Sequence, residues 1–217
     1  MEGIVIKNLT KSYKEELYKD FNLSIEKNKV LTVLGESGSG KTTLLNVISS
    51  LVKYDGIVEK SGVISYAFQE DRLIPNLTVK ENLELFLKDK NTEALLDSVG
   101  LKDFKNSYIK DRSAGEKRRV ALLRAIYYSS NILLMDEPFI NLDLKVKFNV
   151  IELIKKEQEK NPRTIVFVTH DIIEASMLSD RIIVLKKGKI VFDEPKNDSA
   201  KTLAQKLFNI MTDGAKL

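Results

Sequence analysis

Short apolar runs and longer amphipathic stretches take turns along this chain. "GIVIKN", "FNLSIE" and "VLTVLG" have strand length, and the last is continuously apolar, as a strand buried on both faces is. "KTTLLNVISSLV" spaces its apolar residues for a helix, and "GIVEK" and "VISYAF" follow as strands. From Thr78 to Lys105 the spacing is helical again, in "TVKENLELFLKDK" and "NTEALLDSVG", each opened by a capping residue. "GEKRRVALLRAIYYS" predicts a further helix, "NILLMD" a buried strand, and "LKVKFNVIELIKKEQEK" a long helix before strand "TIVFVTH". A short helix, "DIIEASMLS", precedes two strands, "RIIVLKK" and "KIVFDE", around the turn Lys187–Gly188.

Strands alternating with helices predict a parallel sheet with helices on both faces. The helical stretch 76–130 interrupts that alternation and reads as an inserted subdomain within a single domain spanning 1–217. The flanking parts, 1–75 and 131–195, form the core, and 196–217 reads as an amphipathic C-terminal helix.

Composition narrows the chemistry. Apolar residues make up 43% and charged residues 30%, which is ordinary globular composition. The formal charge of +4 is too small to argue for nucleic acid as a partner. With no cysteine and one histidine, a disulfide framework, thiolate metal sites and a histidine metal cluster are excluded. The opening "MEGIVIKNLTKSY" is too polar for a secretory signal, and no apolar run has the roughly 20 residues needed to span a bilayer. A soluble, cytosolic protein is expected.

Three motifs carry chemistry. "GESGSGKT", Gly35 to Thr42, has the spacing of a phosphate-binding loop and lies between a buried strand and a helix. Gly35, Gly38 and Gly40 let successive N–H groups turn toward one anion; Lys41 adds a charge for the β- and γ-phosphates, and the Thr42 hydroxyl can take Mg²⁺. "ILLMDEP" ends an apolar strand with two acids, Asp136 placed for Mg²⁺ and Glu137 for a proton from attacking water. His170 follows a strand at the same edge of the sheet, where an imidazole could contact a γ-phosphate or orient water.

"DRSAGEKRR", Asp111 to Arg119, admits two readings. Ser113 and Glu116 have capping-box spacing, with Lys117, Arg118 and Arg119 as a solvated basic face. The same helix start also offers free N–H groups and a positive dipole end to a phosphate.

Together these residues resemble the ATPase subunit of an ABC transporter over roughly 3–195. The phosphate loop continues to Thr43 and includes Glu36, Ser37 and Ser39; "AFQEDRLIPNLTVKEN" is similar to the family's Q-loop region, with Gln69; "FINLD" is similar to its D-loop, with Asn141, Leu142 and Asp143. "VTHDIIEASMLSDRIIVLKKGKIV" resembles the switch-histidine segment, and Tyr13 in "LTKSY" stands where the family stacks an aromatic ring on adenine. "RSAGEKRRVALLRA" falls where the family writes L-S-G-G-Q, with Arg112 for Leu, Ala114 for the first Gly and Glu116 for Gln. The resemblance implies that Ser113, Ala114, Gly115 and Glu116 approach the γ-phosphate held by an opposite subunit. The Ala114 methyl is harmless there if its φ is negative and costly otherwise.

The implied fold is α/β: a P-loop NTPase core with a mostly parallel sheet, an N-terminal antiparallel β part and the inserted helical subdomain. The implied activity is ATP hydrolysis with Mg²⁺ held by Thr42, Gln69 and Asp136, and catalysis by Glu137, His170, Gln69 and Lys41. Implied partners are a second copy or a paralogous ATPase, integral membrane permeases and a substrate-binding protein, with the chain peripheral on the cytoplasmic face of the membrane and no nucleic acid bound. The "FQEDRLIPNLTVKEN" wording and a short Asp55–Gly62 hairpin look most like nitrate-, sulfonate- and taurine-type importers. The alternatives are an exporter or a lipoprotein- or lipid-directed system, and a weakly hydrolysing nucleotide-gated interaction module. A P-loop kinase would leave Ser113–Glu116 and His170 unexplained.

Overall fold

The most apolar runs become the centre of a six-stranded sheet in a computed structural model, which describes residues 2–195, Gln205 and Lys206. Every position of β3 (Val30–Leu34), β6 (Ile132–Asp136) and β7 (Thr164–Thr169) is buried. With β5 (Ile64–Ala67), β8 (Arg181–Lys186) and β9 (Lys189–Pro195) they form the order β5-β6-β7-β3-β8-β9. All neighbours are parallel except the edge hairpin β8–β9. That hairpin turns through Lys187 and Gly188 at φ 48° and 72°, the two positive values that suit a tight strand-to-strand turn.

A second, antiparallel sheet has the order β2-β1-β4, from β1 (Glu2–Ser12), β2 (Glu16–Glu26) and β4 (Asp55–Lys60). The hairpin expected at Asp55–Gly62 is not formed. β4 pairs with β1, whereas β5 pairs with β6 in the other sheet. The reason is burial: the alternate positions of β5 are needed beside β6, and β4 is largely exposed and suits an edge.

Side-chain alternation along the central strands divides the core. Leu31, Val33, Val166 and Val168 pack with Ile6 and Leu23 of the antiparallel sheet and with Leu44 and Ile48 of α1 (Lys41–Ile48). Their neighbours Val30, Ile165 and Phe167 face the opposite way, toward α4 (Ala114–Tyr127) and α5 (Leu144–Lys160). At the β8 side, α6 (Ile172–Leu178) places Ala175 against Leu34 and Ile182. Between β5 and β6 the chain forms α2 (Val79–Glu84), α3 (Thr92–Ser98) and single 3-10 turns at Lys102–Phe104 and Ile109–Asp111 before entering α4. Leu83, Leu96 and Leu101 of that stretch join the core on the α4 side.

Several boundaries differ from the expected ones. β1 and β2 extend to eleven residues each, past positive-φ residues at Asn8 and Asp20 that break the alternation. α1 stops at Ile48 rather than Val52, because Ser50 turns left-handed at φ 59° and the Leu51 N–H returns to the Asn46 carbonyl at 2.8 Å. α2 stops at Glu84 rather than Lys90, and its last turn runs out through Leu85 and Phe86. The helix expected over 196–217 lies outside the described residues, apart from helical Gln205 and Lys206.

Candidate functional site

The phosphate-loop sequence leaves the end of β3 and closes on the first turn of α1, at the carboxyl edge where β6 and β7 also end. Gly40 caps α1 at φ 111° with no side-chain help, and a Cβ there would lie 2.6 Å from the Tyr18 hydroxyl. That hydroxyl, wholly buried, donates to the Gly40 carbonyl at 2.9 Å and holds the turn from β2. The Gly188 N–H braces the other side, donating to the Ser39 carbonyl at 3.1 Å.

The Lys41 ammonium donates to the carbonyls of Gly35 at 2.7 Å and Glu36 at 2.9 Å. Burial lowers its pKa, while Glu137 and Asp136 nearby oppose the shift. Asp136 is buried at the end of β6; burial raises its pKa, against the Thr42 hydroxyl that hydrogen-bonds it. Its Oδ1 is buried without a hydrogen-bond partner, as is the Ser39 hydroxyl. An unpaired buried carboxylate oxygen costs free energy unless something comes to meet it.

Glu137 is held at φ 45°, a strained value for a residue with a side chain. Its N–H is fixed by the Val168 carbonyl at 3.0 Å, and its carboxylate lies 3.0 Å from His170 Nδ1. His170 was expected to contact phosphate or water; the partner it has here is Glu137. The imidazole is otherwise open to the cleft, with 71% of its side chain exposed. Behind it, Lys147 of α5 bridges to Asp171 and Glu174 at the start of α6, at 3.1 and 2.6 Å.

Lys41, Thr42, Asp136, Glu137 and His170 share one cleft of about 1570 Å³, which also takes in Tyr13, Glu36, Ser37, Gly38, Thr43 and Gln69. Tyr13 stands at the β1–β2 turn, 60% exposed, with the Lys11 ammonium 4.6 Å from its ring centre. Ser113 and Ala114 do not line this cleft; they lie exposed at the start of α4. There the capping box is closed: Ser113 N–H donates to Glu116 Oε2 at 2.8 Å, and Glu116 N–H to Ser113 Oγ at 3.3 Å. Asp143 caps α5 through the Val146 N–H at 2.9 Å, and the loop before it brings the Asn141 carbonyl against Gly115.

The solvated basic face is overturned at Arg118, whose side chain is 1% exposed and lies against the loops carrying Gln69 and Asp136. Its position was legible in the helical spacing: Ala121, Leu122 and Ala125 follow at i+3, i+4 and i+7, on the buried stripe. Tyr18 was missed as well, since a hydroxyl aimed at a carbonyl twenty-two residues away leaves no local trace.

The family model for ABC transporters matches residues 18–140. The chain belongs to the ABC transporter family. As an ABC ATP-binding subunit it is an ATPase. It is 36% identical over 199 residues to the aliphatic sulfonates import ATP-binding protein SsuB 1 of Paracoccus denitrificans, covering 88% of this chain and 82% of that one. It is 36% identical over 229 residues to the spermidine/putrescine import ATP-binding protein PotA of Clostridioides difficile, covering 91% of this chain and 66% of that one. A dimeric ATP-binding cassette, solved in a post-hydrolysis state bound to ADP and Pi, superposes with a TM-score of 0.81 at 32% identity, covering 90% of this ABC chain and 99% of that one. No helix among the described residues of the ABC subunit is long and apolar enough to cross a membrane.

Proposed function

We propose that this ABC subunit powers an importer of a small anionic or organosulfur-type solute, as a pair of copies that sandwich two nucleotides between them. The observation that carries the reading is a division of the chemistry. Lys41, Asp136, Glu137 and His170 converge in one cleft, while the helix start at Ser113 lies outside it and exposed, where a second chain's nucleotide can approach it.

Within the cleft the phosphate-loop N–H groups and Lys41 hold the triphosphate, the ammonium exchanging its loop carbonyls for phosphate oxygens. Tyr13 offers a ring face to the adenine. The Thr42 hydroxyl, the unpaired Asp136 oxygen and the Gln69 side chain are the oxygen donors of this cleft that would hold a hard cation such as Mg²⁺. Held there, Mg²⁺ would supply positive charge against the charge that develops on the phosphates. Glu137 takes a proton from the water that attacks the γ-phosphorus; the new P–O bond forms as the bond to the ADP oxygen breaks. His170 steadies that carboxylate at 3.0 Å.

The solute assignment is supported by the sulfonate relative and by the wording after Gln69. Exposed Ile74, Leu85 and Phe86 near that segment offer apolar surface for a cytoplasmic helix of a membrane permease. A substrate-binding protein would complete the importer, with this subunit peripheral on the cytoplasmic face. The test is Glu137→Gln: ATP–Mg²⁺ binding is retained, turnover falls about 10²–10⁴-fold, and ATP-bound dimer accumulates. Near-normal turnover removes Glu137 from the mechanism.

A further inference from the structure

Arg118 is the most deeply buried charged side chain among the described residues, and all of its partners lie on two loops of the site. Nη1 reaches the Phe68 carbonyl at 2.5 Å, the Gln69 carbonyl at 3.4 Å and the Asp71 carboxylate at 3.3 Å. Nη2 donates to the carbonyls of Asp136 at 3.0 Å and Glu137 at 2.9 Å, and Nε to that of Pro138 at 2.8 Å. One planar guanidinium therefore fixes the spacing between the Gln69 loop and the strained turn that aims Glu137. Stability alone is a poor reason for such a group, since a buried charged pair is often replaced by apolar residues of similar volume without loss. Arg163 is a natural comparator: also buried, it ties the carbonyls of Ile126 and Tyr128 and the Ser130 hydroxyl, and touches neither loop.

Arg118 also belongs to the helix that starts at Ser113, five residues or about 7.5 Å along the axis. We propose that Arg118 is a positioning residue for hydrolysis, yoking the Gln69 loop and the Asp136–Pro138 turn to α4, so that engagement of Ser113 by a partner's nucleotide is felt at Glu137 of the same chain. This rests on the reading of Glu137 as the base and of Ser113 as acting on a second copy. Without the guanidinium, the carbonyls of Asp136, Glu137 and Pro138 each lose a hydrogen bond, the Glu137 carbonyl keeping only the Ile140 N–H at 3.3 Å, and the turn loosens. A displacement of about 1 Å at a reacting group is enough for a loss on the order of 10²-fold.

The experiment compares Arg118→Met, Arg118→Lys, Arg163→Met and Glu137→Gln in the full chain. ATP–Mg²⁺ binding, kcat, and the Hill coefficient for ATP are measured below the melting temperature of every variant. Arg118→Met is expected to bind ATP within about twofold of wild type, to lose on the order of 10²-fold in kcat, and to show a Hill coefficient fallen to one. Arg118→Lys recovers part of kcat, and Arg163→Met changes neither kcat nor the Hill coefficient. Wild-type kcat and cooperativity in Arg118→Met, or the same losses in Arg163→Met, overturn the proposal. If Arg118→Met does not fold, Arg118→Lys and Asp71→Asn decide: reduced kcat at unchanged ATP affinity supports it, and unchanged kcat overturns it. If Glu137→Gln keeps its turnover, the reading of the site has failed; if it is inactive while the Arg118 variants run normally, only the role of Arg118 has failed.

Discussion

Ala114 and Gly115 stand side by side at the start of α4, and only one of them has room for a side chain. Ala114 is the first helical residue and is absent from the residues with positive φ, so its methyl costs the backbone nothing. At Gly115 the φ is ordinary too, but a Cβ would lie 2.7 Å from the Asn141 carbonyl oxygen, closer than backbone tolerates. The chain thus departs from the two-glycine pattern where it is free to and keeps glycine where the neighbouring loop forbids anything else. Ala114→Gly should leave the ATPase rate within about twofold and lower stability by roughly 0.4–1 kcal/mol through unfolded-state entropy, read by urea denaturation. A large gain in rate would show that the methyl crowds the site after all. Gly115→Ala should push the Asn141–Asp143 loop away and reduce turnover by about tenfold or more, read in the same ATPase assay.

The first turn of α4 is also where a charge was added, and its cost is contained locally. Burial raises the Glu116 pKa, but the Ser113 N–H and hydroxyl, with Arg112 and Arg119 nearby, outweigh it and hold the carboxyl below its usual range. Because the folded value lies below the unfolded one, the box contributes fully above the ordinary glutamate range. The contribution is lost as pH falls through the depressed value. Glu116→Ala should therefore cost about 1 kcal/mol near neutral pH, with the gap to wild type closing in acid, as followed by denaturation across pH. This turn was legible beforehand, as were the helix that became α5 and the three wholly buried strands, because each announces itself within one or two turns of chain. What was not legible is non-local. β4 chooses β1 over β5 across fifty residues, α1 ends on a left-handed serine instead of a glycine, and bulges at Asn8 and Asp20 hide the length of the first hairpin. The site followed the same rule: Lys41, Asp136, Glu137 and His170 stand in motifs that can be read locally, whereas the carbonyls that Tyr18 and Arg118 hold lie far from them in sequence.

Whether the closed capping box at Ser113 merely ends a helix or opens onto a neighbour's nucleotide is a property of two chains, and two inactive proteins can decide it. Lys41→Ala removes the ammonium from a chain's own cleft and should be inactive alone. Ser113→Asp keeps an oxygen at the helix cap, so α4 still starts in place, but adds a carboxylate that repels a γ-phosphate brought by a partner. It too should be inactive alone. In a mixed dimer the defects fall unequally: one site joins the altered Lys41 loop to the altered Ser113 turn, and the other joins two intact halves. Mixing the two should restore activity to about a quarter of wild type, if half the dimers are mixed and the sites fire independently, a mass-action estimate for a two-fold pair. If each site needs the other, turnover stays absent while ATP still drives dimerisation of the mixture beyond that of either variant, so both are measured. A chain whose site is complete in itself gives no recovery in either assay. That result would confine Ser113 to capping its own helix and would also cut the path from a partner's nucleotide to Arg118.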